Sequence, residues 1–419
     1  MKLKSLIRSQ FVISGLVYAS GLAAFFIGDL LISKLGTDIE IADWAALKSS
    51  LFIGASLCLL GLDQALVRNP SSAGRIARLL IVQAIFMAAA LSPLFWYMDT
   101  FRNLPYDYFA LLALTSVTLS AATYRSRFHM IESQSAANHW RFFFGLLVAA
   151  CFYTGATRHY AIMVVASVFL GLSVSFLIYK VRKPATREHA PDTETSLGAC
   201  YRIGLRFCVS ALFLNLSLYV EQLILKADGR TTEAATYFRY TTLFLMPAVA
   251  ATGFLGFYLG PFTRLHGDRV RQFVQQRFPL IILAAAVATT VGIVPGVLAL
   301  PYITEGKLQL DFGLTLCMAA IAFFRILMVL PSAYLGVHAD GRTLDRFLMC
   351  SAAGIVMLVV VYTSLTAMEF RSDIAVALAS ITNWATRVSV GLWLTLSLMK
   401  NSTSDTNLTR ATVEAKSHA

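Results

Sequence analysis

Two arginines inside strongly apolar runs have the clearest chemical meaning in this sequence. Arg325 and Arg387 each lie about thirteen residues, or about 20 Å of helix, from one end of such a run. This is near the middle of a bilayer, where an arginine costs about 3 kcal/mol unless it faces a polar interior. Because a guanidinium carries permanent charge and paired donors, both residues are candidates for binding a phosphate or another anion. The alternative is a structural ion pair with a neighbouring acid.

Three further cations lie closer to the ends of apolar runs. Arg239 lies about one turn into its run, and Lys34 and Lys226 lie at the ends of two others. We predict that Arg239 binds the same ligand and that the two lysines form a second, outer binding station. Alternatively, their long side chains extend to the interface, or Arg239 pairs with Glu221.

A carboxylate precedes each of these lysines by about one turn, Asp29 before Lys34 and Glu221 before Lys226. Partly desolvated carboxylates near a membrane surface could load a proton or a sodium ion. The alternative is ion pairing with Lys34, Lys226 or Arg239, and the shallow position of both acids favours it. We expect no cofactor and no metal ion, because the histidines form no ligand cluster and no GxxxxGK[ST] segment is present.

The composition indicates what kind of protein positions these charges. Of 419 residues, 57% are hydrophobic and 14% are charged, whereas soluble proteins have about 25% charged residues. This balance predicts a polytopic membrane protein. The six cysteines show no paired spacing and are interpreted as small buried side chains. No nucleophile and base form a recognisable constellation, so we predict that the chain is not an enzyme.

Apolar runs predict an all-α fold of twelve transmembrane helices, because lipid offers no partner for open backbone groups. The predicted spans cover residues 11–33, 44–62, 79–98, 108–123, 142–156, 160–178, 203–225, 236–259, 278–300, 312–335, 347–368 and 374–398. A polar stretch at 181–202 is interpreted as a flexible cytoplasmic linker between a lobe at 1–180 and a lobe at 203–399. Residues 400–419 are interpreted as a disordered cytoplasmic tail.

The distribution of lysine and arginine predicts the orientation. With the N-terminus in the cytoplasm, most of the 35 basic residues fall in cytoplasmic connections, including Arg141 ahead of the fifth span. Both termini are therefore expected inside. The net charge of +12 reflects mainly this bias, and no nucleic-acid partner is expected.

An internal repeat relates the two halves of the chain. One ungapped shift places Asp29 on Glu221, Lys34 on Lys226, and the segment SSLFI on TTLFL. This pattern indicates two six-helix lobes related by an axis along the membrane normal.

The openings of the two halves carry a family resemblance. The segments KLGTDIEIADWAALKSSLFIGASLCLLGLDQALVR and YRIGLRFCVSALFLNLSLYVEQLILKADGRTTEAATYFRYTTLFLMPAVAATGFLGFYLGPFTRL resemble polysaccharide (O-antigen type) flippases of the multidrug/oligosaccharidyl-lipid/polysaccharide exporter superfamily. Glu221 matches the acidic residue usual in the seventh helix, and Trp44 stands where an aromatic residue is usual.

The resemblance implies an architecture, a function and a setting. The architecture is a V-shaped pair of six-helix lobes around a central cavity. It implies alternating access that moves an undecaprenyl-pyrophosphate-linked oligosaccharide from the cytoplasmic to the outer leaflet of the bacterial inner membrane. That step serves O-antigen, lipopolysaccharide or other surface polysaccharide biosynthesis, with the polysaccharide polymerase machinery as a possible partner. Arg325, Arg387 and Arg239 would then hold the pyrophosphate or acidic sugars.

Three alternatives remain open from the sequence. A multidrug or cation antiporter shares the superfamily fold, although cationic drugs would favour an acidic cavity. A polysaccharide polymerase or ligase would handle the same lipid, but such enzymes usually need a large outer loop. A non-transporting membrane scaffold would leave the mid-depth arginines unexplained.

Overall fold

The computed structural model describes residues 2–68, 73–127, 129–155, 159–182, 197–305 and 309–417, and all regular structure within these ranges is helical. The α-helices are α1 (Lys2–Leu35), α2 (Asp38–Cys58), α3 (Leu62–Arg68), α4 (Ala73–Tyr97), α5 (Leu104–Ser126), α6 (Met130–Thr154), α7 (Tyr160–Arg182), α8 (Leu197–Ala227), α9 (Thr231–Tyr240), α10 (Met246–Leu265), α11 (Gly267–Ile303), α12 (Phe312–His338), α13 (Gly341–Ala367) and α14 (Ser372–Ser417). A π-helical segment, Thr241–Leu245, joins α9 to α10.

Two of the predicted spans are broken helices. A tight turn at residues 59–61 joins α2 to α3, and the π-helical segment continues α9 into α10, so the described residues contain twelve long helical segments. Eight helices in the described ranges are long and apolar enough to cross a membrane. The predicted class, an all-α polytopic membrane protein of twelve helices, is confirmed.

The fifth predicted span covers only the second half of its helix. It was expected at 142–156, whereas α6 begins at Met130. Polar residues in its first half, such as Ser135 and Asn138, are buried against neighbouring helices. They lower the hydropathy of the segment without placing it in water. Arg141 therefore lies at the middle of α6, and its predicted place in a cytoplasmic connection is wrong.

The two polar segments predicted to be flexible, the linker and the C-terminal tail, differ in how far the structure describes them. Most of the predicted linker at 181–202 lies outside the described residues, which resume at Leu197 with α8. The tail predicted to be disordered at 400–419 is helical as far as Ser417. Neither glycine nor proline follows Gly391, so nothing in the sequence terminates α14 earlier.

The chain forms two compact units. Unit 1 contains Met1–Leu243 and Ala299–Leu310, and unit 2 contains Phe244–Leu298 and Asp311–Ala419. The boundary after Leu243 falls within the π-helical segment, just before Pro247. Proline lacks the N–H that would complete an α-helical hydrogen bond, which gives a reason for the irregular turn. The predicted boundaries of the two lobes, 1–180 and 203–399, stay predictions. The units of the structure are divided differently, because α8 and α9 belong to unit 1.

Close contact between α1 and α6 organises unit 1. A Cβ on Gly145 would overlap the carbonyl oxygen of Ala24, so only glycine allows this separation of the two backbones. Beside this contact, the rings of Trp44 and Phe144 stack with centroids 4.7 Å apart, and Phe25 packs against both. The packing holds the start of α2 firmly against the end of α1.

Helix α8 packs antiparallel along α2 and α3 within unit 1. Tyr219 stacks on Phe52 with ring centroids 5.1 Å apart, and the amide of Asn215 donates to the hydroxyl of Ser56. At the far end, Gly61 adopts a positive φ of 68° against the backbone of α8. A side chain at that position would overlap the carbonyl oxygen of Gly204. The contact therefore runs along most of both helices.

Unit 2 is built around α14. This helix packs closely against both α12 and α13. Gly391 of α14 lies against Pro331 of α12, and Gly354 of α13 lies against Asn383 of α14. Small residues at these crossings bring the helices together at mid-length.

Candidate functional site

The two arginines predicted as ligand-binding residues meet within unit 2. Arg325 is the middle residue of α12, and Arg387 lies on the adjacent α14. Both side chains are buried, with exposures of 8% and 2%. Their guanidinium carbons lie 5.1 and 5.6 Å from the centre of the Trp384 ring. The structure thus places two permanent positive charges around one aromatic residue at mid-helix depth.

The helices around this arginine pair leave little room for larger side chains. Asn383, next to Trp384 on α14, is fully buried. A Cβ on Gly354 would lie 2.7 Å from the Asn383 amide oxygen and 3.7 Å from Cγ of Arg387. The close approach of α13 fixes the stem of Arg387, so the position of its charge is set by packing.

Lys226 and Arg239 belong to unit 1, where each contacts an acid on α2. The ammonium of Lys226 lies 2.9 Å from Asp43, which also accepts a hydrogen bond from Arg102. Arg239 donates to Asp38 over 2.8 Å and to the carbonyl oxygen of Ser33. The ion pair considered between Arg239 and Glu221 is not among these contacts. These contacts tie the ends of α8 and α9 to the start of α2.

Asp29 has a different partner from those expected. Its carboxylate is fully buried and accepts hydrogen bonds from the ammonium of Lys48 over 2.5 Å and from the indole of Trp44 over 2.8 Å. The Lys48 ammonium also lies 4.8 Å from the centre of the Phe25 ring. The alternative pairing of Asp29 with Lys34 is wrong, because α2 presents Lys48 directly to this carboxylate.

The remaining predicted residues occupy contrasting environments. Lys34 is exposed on the last turn of α1. Glu221 is buried in α8, with an exposure of 2%. The described residues hold no group of three metal-ligating side chains. A cavity of about 220 Å³ lies at one end of unit 1, lined by residues that include Glu40, Asp43 and His159.

Arg141 is a mid-helix cation that the sequence interpretation missed. It lies at the centre of α6, enclosed by protein and within electrostatic range of the phenols of Tyr18 and Tyr219. One of its terminal nitrogens donates to the amide oxygen of Asn138 over 3.2 Å. The small residues before residue 142 recur at helical spacing, and this pattern was the sequence signal that could have located Arg141 inside a helix.

The fold and the buried charges define a class: an all-α polytopic membrane protein with basic residues deep inside its helical units. The comparison with solved structures makes this more specific. The inward-facing conformation of a multidrug resistance MATE family transporter of the MOP superfamily aligns with a TM-score of 0.61 at 14% identity. The alignment covers 92% of this chain and 99% of that chain. The chain therefore has the fold of MOP-superfamily transporters.

Two further structures give the same result. The outward-facing conformation of such a transporter aligns with a TM-score of 0.60 at 14% identity, covering 94% of this chain and 96% of that one. A MOP superfamily transporter from Pyrococcus furiosus, described with the words "reverse polarity of binding pocket suggests different function", aligns with a TM-score of 0.60 at 12% identity, covering 93% and 96%. No family model and no curated protein matches the sequence. At such identities the likeness establishes the fold alone.

Proposed function

We propose that this chain is a secondary transporter that flips a lipid-linked oligosaccharide with a pyrophosphate head group, by alternating access. The observation that carries the proposal is the arrangement of Arg325 and Arg387 around Trp384 in unit 2. A pyrophosphate cannot enter hydrocarbon without large desolvation costs, and guanidinium donors replace its lost water. The indole ring adds an apolar surface next to the charge.

The multidrug antiporter is the second candidate, because similar solved structures are named as multidrug resistance transporters. A cationic drug needs an available buried carboxylate. In unit 1 the carboxylate of Asp29 already holds Lys48, and Glu221 is the buried acid that we propose for ion coupling. In unit 2, Arg325 and Arg387 are buried at mid-helix and would repel a cationic drug. This polarity favours an anionic substrate over a cationic one.

Ion coupling is proposed for Glu221 rather than for Asp29. The ammonium of Lys48 occupies the position at Asp29 where an exchangeable cation would bind, so that pair supports the fold. Glu221 is buried in α8 and remains our candidate for proton or sodium coupling. An imposed gradient that leaves the flipping rate of the wild type unchanged would contradict coupling at this residue.

The setting is also a proposal. Orientation by basic residues supports cytoplasmic termini, and the lipid-linked substrate supports the bacterial inner membrane. The product would be consumed by polysaccharide polymerase machinery on the outer side, during assembly of O-antigen or another surface polysaccharide.

Purified protein in liposomes tests the proposal. A fluorescent undecaprenyl-pyrophosphate oligosaccharide is loaded in both leaflets, and a membrane-impermeant quencher measures how quickly inner-leaflet lipid reaches the outside. We expect the double variant Arg325→Ala, Arg387→Ala to flip at least about 100-fold more slowly, since each charged hydrogen bond contributes about 1.5–3 kcal/mol. Arg346→Ala is the control, because that arginine is exposed on α13.

The outcomes separate the two candidates. Equal rates in the double variant and the wild type would refute the role of the arginine pair. Transport of a cationic dye by the wild type, undiminished in the double variant and without lipid flipping, would establish the multidrug alternative instead.

A further inference from the structure

Arg141 differs from the other deep cations of unit 1 in having no acidic partner. Lys48, Lys226 and Arg239 each lie within 2.9 Å of a carboxylate oxygen. Among the residues that the structure describes, no carboxylate lies within ion-pair distance of Arg141. Its neighbours are instead the Asn138 amide and two phenols, and its Nε is buried without an acceptor.

A guanidinium in this position is expensive to keep. An arginine in the middle of a membrane helix is retained when it faces polar groups, water or an anion. The phenols of Tyr18 and Tyr219 are neutral and compensate the charge only weakly. Tyr18, Tyr219 and the Arg141 residue as a whole are half-buried, whereas Nε of the Arg141 guanidinium is fully buried, so the charge is enclosed by protein.

The surroundings of Arg141 are aromatic and come from four helices. Trp140 of α6 lies beside the guanidinium, with 5.8 Å between its ring centre and the Arg141 guanidinium carbon. The Trp140 ring packs 6.3 Å from Phe52 of α2, which stacks on Tyr219 of α8. Tyr18 adds a phenol from α1. A cation with an aromatic wall and adjacent amide and hydroxyl groups suits an anion carrying a sugar, because rings contact the apolar faces of sugars while polar groups bind hydroxyls.

We propose that Arg141, with Tyr18, Trp140 and Tyr219, forms an anion-binding station in unit 1 for a pyrophosphate joined to a sugar. This inference rests on the proposed function for its choice of substrate class, while the site itself rests on the uncompensated charge. The station is built wholly within unit 1 and is separate in composition from the arginine pair of unit 2.

Tryptophan fluorescence can observe this station separately. Trp140 lies beside Arg141, whereas Trp384 lies close to both arginines of unit 2. The variant Trp384→Phe removes the tryptophan next to the arginine pair of unit 2 and keeps an aromatic ring there. Because Trp44, Trp96 and Trp393 remain, the Trp140 signal is the difference between this protein and one that also carries Trp140→Phe. In this background, protein in lipid nanodiscs is titrated with inorganic pyrophosphate, with a soluble nucleoside diphosphate sugar, and with an undecaprenyl-pyrophosphate oligosaccharide.

We expect a saturable fluorescence change with at least one sugar-linked pyrophosphate. Adding Arg141→Gln should weaken the apparent affinity at least about tenfold, the loss expected for one charged hydrogen bond. Arg75→Gln should leave the affinity unchanged, since Arg75 is exposed on α4 of the same unit. An equal affinity in the Arg141→Gln protein, or no response to any of the three probes, would overturn the station.

Two further results complete the test. One separates a binding role of Arg141 from a purely structural role, and the other separates failure of this station from failure of the proposed function. Removing a charge without an acidic partner should not lower the thermal midpoint, so a larger loss in Arg141→Gln than in Arg75→Gln would make Arg141 structural and overturn the proposal. An Arg141-dependent response to the soluble nucleotide sugar alone would support the station while contradicting lipid flipping. A response to the lipid-linked probe supports both.

Discussion

Replacement of Lys48 by methionine tests the buried ion pair of unit 1. The variant leaves the carboxylate of Asp29, which has 0% exposure, with the indole of Trp44 as its one side-chain donor in the described part of the chain. Breaking a buried pair by removing one partner costs about 3–5 kcal/mol, because the remaining charge is desolvated. For a unit of this size each kcal/mol lowers the thermal midpoint by about 2–4 °C, so a fall of about 10 °C is expected.

The double variant Asp29→Asn, Lys48→Met separates the charge from the packing. Asparagine keeps an oxygen that can accept from Trp44, and no net charge remains in the site. Replacing both members of a buried pair is often close to neutral, so we expect a loss of about 1 kcal/mol or less. The two changes should therefore be strongly coupled in a double-mutant cycle.

Thermal unfolding of detergent-purified protein, scanned at one fixed rate, measures both variants. Lys34→Met is the control, because Lys34 is an exposed lysine of the neighbouring α1. If Lys48→Met unfolds at the wild-type temperature, the pair does not stabilise the protein. If Asp29→Asn alone leaves stability unchanged but abolishes the response to an ion gradient, Asp29 is the coupling residue and our assignment is wrong.

Two further predictions concern the glycine in the turn after α2 and the aspartate that caps α12. Gly61→Ala should lower the free energy of unfolding by more than about 2 kcal/mol, because φ is 68° and the methyl group would overlap the backbone of Gly204. The control Gly336→Ala has open space around it and should be neutral or stabilising in the same thermal scan. Asp311 caps α12 through the Leu314 N–H, and this hydrogen bond, together with Arg371, holds the pKa of the carboxyl below its usual value. Its stabilisation is therefore present above about pH 4 and lost as pH falls through the lowered pKa, so the difference in thermal midpoint between wild type and Asp311→Asn should vanish in acid. A difference that is independent of pH would contradict a charge effect.

The sequence by itself determined the class of fold and the depth of several charges. Long apolar runs leave only helices, because backbone groups have no partner in lipid, and this yields twelve segments. Counting residues along a run also placed Arg325 at mid-helix, since the rise per residue is fixed. Hydropathy failed for α6, because it treats buried polar residues such as Asn138 as if they faced water.

Only the tertiary structure decided which charges meet. The internal repeat relates Asp29 to Glu221, but the shift that aligns them places Tyr240 opposite Lys48, so the repeat contains no hint of the ion pair. Which side chain reaches a buried carboxylate depends on how neighbouring helices rotate and pack, and glycines far along the chain set that packing. The same dependence left Arg141 without an acidic partner among the described residues, and residue spacing along one helix does not show this.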